Sequence, residues 1–297
     1  MRLDLALIRV HPDLSRRRAR AAIEKGQVTV DGTRIRQSGH EVAEGSEIAW
    51  DPHRKALPRA RCSLPILHED EHVLVVDKPA GLLTVPTGSA AGDEDTVLAR
   101  AREYVSHLRP RGGFVERVHR LDRDTTGAVA LALSREARAG LIRTFRAHRI
   151  ERRYLAIVAG APRDDRGTVD APIRDSWVSG RRAVARGEEP QKPARTRWRV
   201  RERFSGAALL EVELDTGRQH QIRLHLAHVR LPVLGDRVYG VPTAGRVAPR
   251  RPMLHAWRLA FRHPVSGARV CVESPVPADL GRALSRLRRA TGPARGG

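Results

Sequence analysis

The chain has 297 residues, with 55 Lys+Arg against 34 Asp+Glu, and its formal net charge is +21 at pH 7. So one-sided a charge implies a polyanionic partner. Nucleic acid fits better than a membrane, because there is no run of 18 or more apolar residues and no charged-then-apolar leader at Met1. Cys62 and Cys271 stand alone, and G-x-x-x-x-G-K-[ST], G-x-G-x-x-G and metal-ligand arrays are all missing, so the expectation is a cytoplasmic protein with no metal and no cofactor.

Four of the basic residues are lysines (Lys25, Lys55, Lys78 and Lys192) and the rest are arginines, which fork onto phosphates and stack on bases. In chain order, Arg2 to Val10 reads as a helix. Ser15 is placed to cap a second helix over Arg16 to Lys25, which Gly26 stops. A hairpin follows, with Val28, Val30 and Ile35 alternating around the turn dipeptide Asp31-Gly32. Residues 1–50 thus form a small α/β unit, and the Pro/Arg-rich stretch 51–64 reads as a linker.

A larger α+β domain is expected over 65–289, with a frayed tail at 290–297. Its strands are read at Val73 to Val76, Ala128 to Leu133, Tyr154 to Val158 and Leu209 to Leu214. Helical stripes follow the caps Thr96 (Leu98, Ala101, Val105, Leu108) and Ser134 (Ala137, Leu141, Phe145). The Arg-rich stretch Arg174 to Arg199 reads as a mobile insertion.

The opening segment RLDLALIRVHPDLSRRRARAAIEKGQVTVDGTRI resembles the S4 RNA-binding domain. Arg16, Arg17, Arg18, Arg20 and Lys25 would then form a backbone-gripping surface beside the hairpin. Taken alone, such a run is more commonly a solvated helix face, and the full-length pattern outweighs that reading.

The segment GFVERVHRLDRDTTG is similar to the catalytic motif of the RluA-type pseudouridine synthases. VDKPAGLLTVP, ERRYLAIVAG, LDTGRQHQIRLH, LPVLGDRVYG and MLHAWRLAFRHP follow the family pattern in order. The resemblance implies a pseudouridine synthase fold: a central mixed, mainly antiparallel sheet flanked by helices and loops, preceded by the small S4 domain. It also implies the reaction, in which the C1′–N1 bond of a uridine breaks, the base turns, and C1′ joins C5. Asp122 matches the family aspartate that attacks or deprotonates the sugar, Arg223 the arginine paired with it, and Tyr154 the active-site tyrosine. Arg120 and His119 flank the aspartate as substrate contacts, and Leu224 with Lys78 and Pro79 are expected as pocket walls or supports.

Thr126 and Gln219 depart from the family's usual Ser and Thr, and both keep a polar side chain. Structured RNA is the implied partner of a monomeric enzyme. The S4 unit favours 23S ribosomal RNA, with transfer RNA as the alternative. Two other readings stay open: a non-catalytic S4-type RNA-binding or ribosome-assembly protein, and a glycosidic hydrolase. The hydrolase needs a second carboxylate flanking the scissile bond, for which the motif offers only Asp124, displaced into the turn.

Overall fold

A computed structural model describes residues 1–35, 38–54, 64–86, 94–109, 113–176, 181–185, 187, 190–240 and 249–291. Most of the expected linker, the last six residues of the expected tail, and Cys62 lie outside these.

The first elements are helices α1 (Leu3–Val10) and α2 (Arg16–Glu24) and strands β1 (Val28–Val30), β2 (Thr33–Arg34) and β3 (Ile48–Trp50), ordered β2-β1-β3 in an antiparallel sheet. Ser15 caps α2 by accepting the Arg18 N–H, and Asp31 and Gly32 both take positive φ, as a tight hairpin turn requires. Leu3, Leu7, Ala19, Ile23 and Val28 form a core of their own. Asp4 is fully buried beneath it and accepts hydrogen bonds from the Nε of Arg20 (2.9 Å), Arg2 (3.0 Å) and Arg16 (3.3 Å). The Arg2 hydrogen bond outweighs burial, and with those from Arg20 and Arg16 holds the Asp4 carboxyl far below the usual range.

The remaining strands are β4 (Ile66–Glu69), β5 (Val73–Lys78), β6 (Glu116–Arg117), β7 (Thr126–Ala132), β8 (Glu151–Ala159), β9 (Arg166–Asp170), β10 (Ile173–Arg174), β11 (Gln191–Lys192), β12 (Arg195–Phe204), β13 (Ala207–Leu214), β14 (Leu254–Arg262) and β15 (Arg269–Glu273). The helices among them are α3 (Val97–Leu108), α4 (Arg135–Arg146), α5 (Gln221–His228) and α6 (Ala278–Thr291). Ten strands form one sheet in the order β4-β5-β7-β14-β8-β13-β12-β9, with β15 on β14 and β6 on β7. Among the strands of the described residues, β7–β14 is the parallel pairing and the others of this sheet are antiparallel, so the sheet is mixed and mainly antiparallel.

Period-two alternation decides which face each side chain joins. On β5 and β7, Val73, Val75, Ala128 and Ala130 pack with Leu141 of α4, while Leu74, Val76, Val129 and Leu131 pack with Val97 and Ala101 of α3. Both faces are therefore covered, which is why these strands read as unbroken apolar runs.

The stretch Arg174 to Arg199 is not simply an insertion. It contributes the hairpin β10–β11 and the first half of β12, a full member of the sheet. The string RTRWRVRERF alternates exposed arginines with inward Thr196, Trp198 and Val200. Those arginines gain carboxylate partners from β13 and the residue after it: Arg197 pairs with Glu213 and Asp215, and Arg199 and Arg201 with Glu211.

The parallel β7–β14 contact brings Gly127 opposite Ala256. Gly127 has φ +116, and a Cβ there would run into the Ala256 carbonyl. Gly127→Ala is expected to destabilise the fold by about 3 kcal/mol or more, read as a lowered midpoint in urea. An unchanged midpoint would contradict this packing.

Candidate active site

The loop between β6 and β7 is fixed through its carbonyl groups. Thr84 Oγ1 donates to Leu121 O (2.9 Å) and accepts the Leu121 N–H (3.1 Å). Asp122 O accepts the Thr125 N–H at 3.1 Å. Arg123 O accepts from Lys78 Nζ (2.7 Å) and the Gly81 N–H (3.0 Å), and Asp124 O from Arg251 Nη1 (3.1 Å). Four consecutive carbonyls are held, leaving the Asp122 side chain to face a cavity.

Arg223, on the first turn of α5, meets that side chain. Its Nη1 donates to Asp122 Oδ2 at 3.2 Å, while Nε and Nη2 form a fork onto Asp236 at 2.6 and 2.8 Å. Asp236 also accepts the Val238 and Tyr239 N–H groups. The Asp236 side chain is fully buried, Arg223 is 9% exposed and Asp122 is 17% exposed. Burial opposes both charges of the fork, but the pairing wins. It raises the Arg223 guanidinium above its ordinary range and, with the two N–H groups, holds the Asp236 carboxyl below its own.

The cavity, about 450 Å³, is lined by Asp122, Arg223 and Tyr154, with Arg120, Arg146, Arg152 and Arg218 around them. Tyr154 is buried on β8, and burial pushes its hydroxyl up. The buried Arg152 donates to Leu214 O (3.2 Å) and Thr216 O (3.3 Å). Gln221 joins the start of α5 to β12, accepting from Thr216 Oγ1 and donating to Arg195 O. Among the described residues, no group of three or more His, Cys, Asp or Glu could hold a metal ion.

A family description of RNA pseudouridylate synthases matches residues 72–228, more than half of the chain, and an S4 domain matches residues 1–48. The chain belongs to the RNA pseudouridylate synthase family. It is an RNA pseudouridine synthase, an isomerase. Proteins named ribosomal large subunit pseudouridine synthase D are similar to it. The one from Xylella fastidiosa is 38% identical over 306 residues, covering 97% of this chain and 89% of that one. The one from Pseudomonas aeruginosa is also 38% identical, over 309 residues, covering 97% and 92%. The solved structure of human RNA pseudouridylate synthase domain containing 4 matches with a TM-score of 0.62 at 26% identity, over 75% of this chain and 93% of that one.

In this pseudouridine synthase, Asp122, Arg223, Tyr154, Arg120 and His119 all border one cavity. Leu224 does not: it packs with Ile173 and Ala194, because one residue along a helix turns the side chain away from Arg223. Lys78 and Pro79 are also outside the lining, with Lys78 Nζ donating to Pro79 O (2.8 Å) behind the loop. His119 stacks on Phe145, and its Nε2 accepts the Ala130 N–H at 2.9 Å. Arg16, Arg17, Arg18 and Lys25 are exposed on the S4 unit, and Arg16 and Arg20 each donate to Asp4 through Nε.

Asp236 lies in the segment LPVLGDRVYG, but nothing local in the sequence marks it as the partner of a residue 13 positions earlier. Thr126 hydrogen-bonds His255 Nδ1 at 2.9 Å, a contact its hydroxyl can make as a serine would. Asp236→Asn removes one charge from the fork and loosens Arg223. Pseudouridine formation is expected to fall about a hundredfold in kcat with little change in KM, and unchanged kcat would exclude this positioning.

Burial, aided by the charge of Arg152, lowers His119 to about 3, and burial, aided by His68, lowers His40 to about 4. The unfolded chain protonates its histidines near pH 6.5, so below about that pH it binds more protons than the native state. Stability is therefore expected to fall as pH drops from about 6.5 toward 4. His119→Gln should flatten that slope in urea titrations at each pH.

Proposed function

We propose that this enzyme isomerises uridine to pseudouridine in structured RNA, with large-subunit ribosomal RNA as its target. Asp122 attacks or deprotonates the ribose of the target nucleotide, Arg223 aims it, and Tyr154 stacks on the uracil. The C1′–N1 bond breaks and a C1′–C5 bond forms, C5 loses a hydrogen and N1 gains one, so no cofactor is needed. Arg120 contacts the extruded nucleotide, and Lys78 with Pro79 supports the Asp122 loop. Residues 1–50, through Arg17, Arg18 and Lys25, grip the RNA backbone while 65–289 carry the chemistry. The enzyme acts as a cytoplasmic monomer.

One observation carries the reading. The cavity's Arg120, Arg146, Arg152 and Arg218 make no ion pair with a described carboxylate, whereas the arginines of β12 are paired. Cations without carboxylate partners around a clamped aspartate suit a phosphate-bearing substrate. The ribosomal target is supported by the names of relatives that align with 97% of the chain. Among the described residues that line the cavity Asp122 is the one carboxylate, with Asp124 outside the lining, and this argues against a hydrolase that works with two.

The test is a pseudouridine map of total RNA from cells lacking the gene, complemented with wild type or Asp122→Ala. Loss of a large-subunit site, restored by wild type alone, is the expected result. A lost transfer-RNA site would move the target, and restoration by Asp122→Ala would overturn the catalytic assignment.

A further inference from the structure

Beside the active-site cavity lies a smaller hollow of about 170 Å³, lined by Arg174, Asp175, Arg182, Lys192 and Arg218. The two spaces share the wall Gly217, Arg218 and Gln219, so a ligand in one adjoins a ligand in the other. Four cations face one carboxylate among the described residues of the hollow.

The hollow is supported by the hairpin β10–β11. Arg182 Nη1 donates to the carbonyls of Arg174 (3.0 Å) and Asp175 (2.6 Å), and the Arg182 N–H donates to Tyr239 Oη at 3.0 Å. That hydroxyl is 3.0 Å from His220 Nδ1, and the Tyr239 ring centroid lies 5.3 Å from the Arg223 guanidinium. The hairpin is thus tied to the same group that aims Asp122. Lys192 Nζ sits 2.7 Å from Asp175 Oδ1 in an exposed pair, which water and salt screen and a competing anion can exchange.

We propose that this hollow is a phosphate subsite, taking the backbone phosphate of a nucleotide next to the target uridine while the uridine fills the larger cavity. The proposal rests on the uridine-isomerising reading above. A phosphate would bind Lys192 and Arg218 together and displace the Asp175 contact, extending the enzyme's grip from the flipped nucleotide to its neighbour.

The test measures kcat and KM on in vitro transcribed large-subunit ribosomal RNA, across a salt series, for wild type, Lys192→Gln and Asp175→Asn, with thermal melts to verify folding. Lys192→Gln is expected to raise KM about fivefold with kcat unchanged, and to reduce the slope of log affinity against log salt by about 0.7 to 1. Asp175→Asn should do the reverse, lowering KM and steepening the slope, because it removes the competing carboxylate. A purely structural ion pair predicts instead that both variants weaken binding alike. That result, or two variants that match an active wild type in KM and slope, overturns the subsite. Wild type that forms no pseudouridine on any RNA overturns the underlying reading and the subsite with it.

Discussion

The site depends on one guanidinium shared between two aspartates. Arg223 spends Nε and Nη2 on Asp236 and has Nη1 left for Asp122. Such a buried charge is stable only while its partners remain, since removing one side of a buried pair costs about 3–5 kcal/mol. The fully buried Asp236 takes two of Arg223's donors and two backbone N–H groups, so it is the fixed end of the arrangement. Asp122, partly exposed and met among the described residues by Arg223 Nη1, is the end free to act.

The surrounding structure serves the same geometry from the other direction. A carboxylate on a loop is only as well placed as its backbone, and the Asp122 backbone is held by Thr84, Lys78, Gly81 and Arg251. Lys78 is fully buried, and burial, opposed by the charges of Asp124 and Asp122, lowers it to about 8. Its two carbonyl contacts partly offset that desolvation. Two histidines near the site also make internal contacts: His119 accepts a backbone N–H, and His225 lies between Thr196 and the Ala171 carbonyl.

Part of the positive charge is engaged in pairs within the chain. Arg2, Arg16 and Arg20 hold Asp4, and the β12 arginines meet acidic partners from neighbouring strands and loops. A net charge of +21 is therefore a poor guide to where RNA binds. Arg120, Arg146, Arg152 and Arg218 of the cavity make no ion pair with a described carboxylate, and only the folded arrangement reveals this.

The sequence determined several features that depend on neighbours in the chain. Ser15, Thr96 and Ser134 each cap a helix because a hydroxyl reaches an N–H three residues on. Asp31-Gly32 turns a hairpin, and the apolar runs of β5, β7 and β8 announce strands buried on both faces. The ordered motifs also brought Asp122, Tyr154 and Arg223 into view. β12 was legible in principle from its alternation, but its density of arginine concealed a strand whose partners come from β13. Tertiary structure alone decided that Asp236 anchors Arg223, that Leu224 turns away from the cavity, and that Arg16 and Arg20 serve Asp4. Each of these is a contact between segments distant along the chain or a choice of helix face. Local propensity carries no information about which charges share a buried volume, and in this enzyme that sharing defines the site.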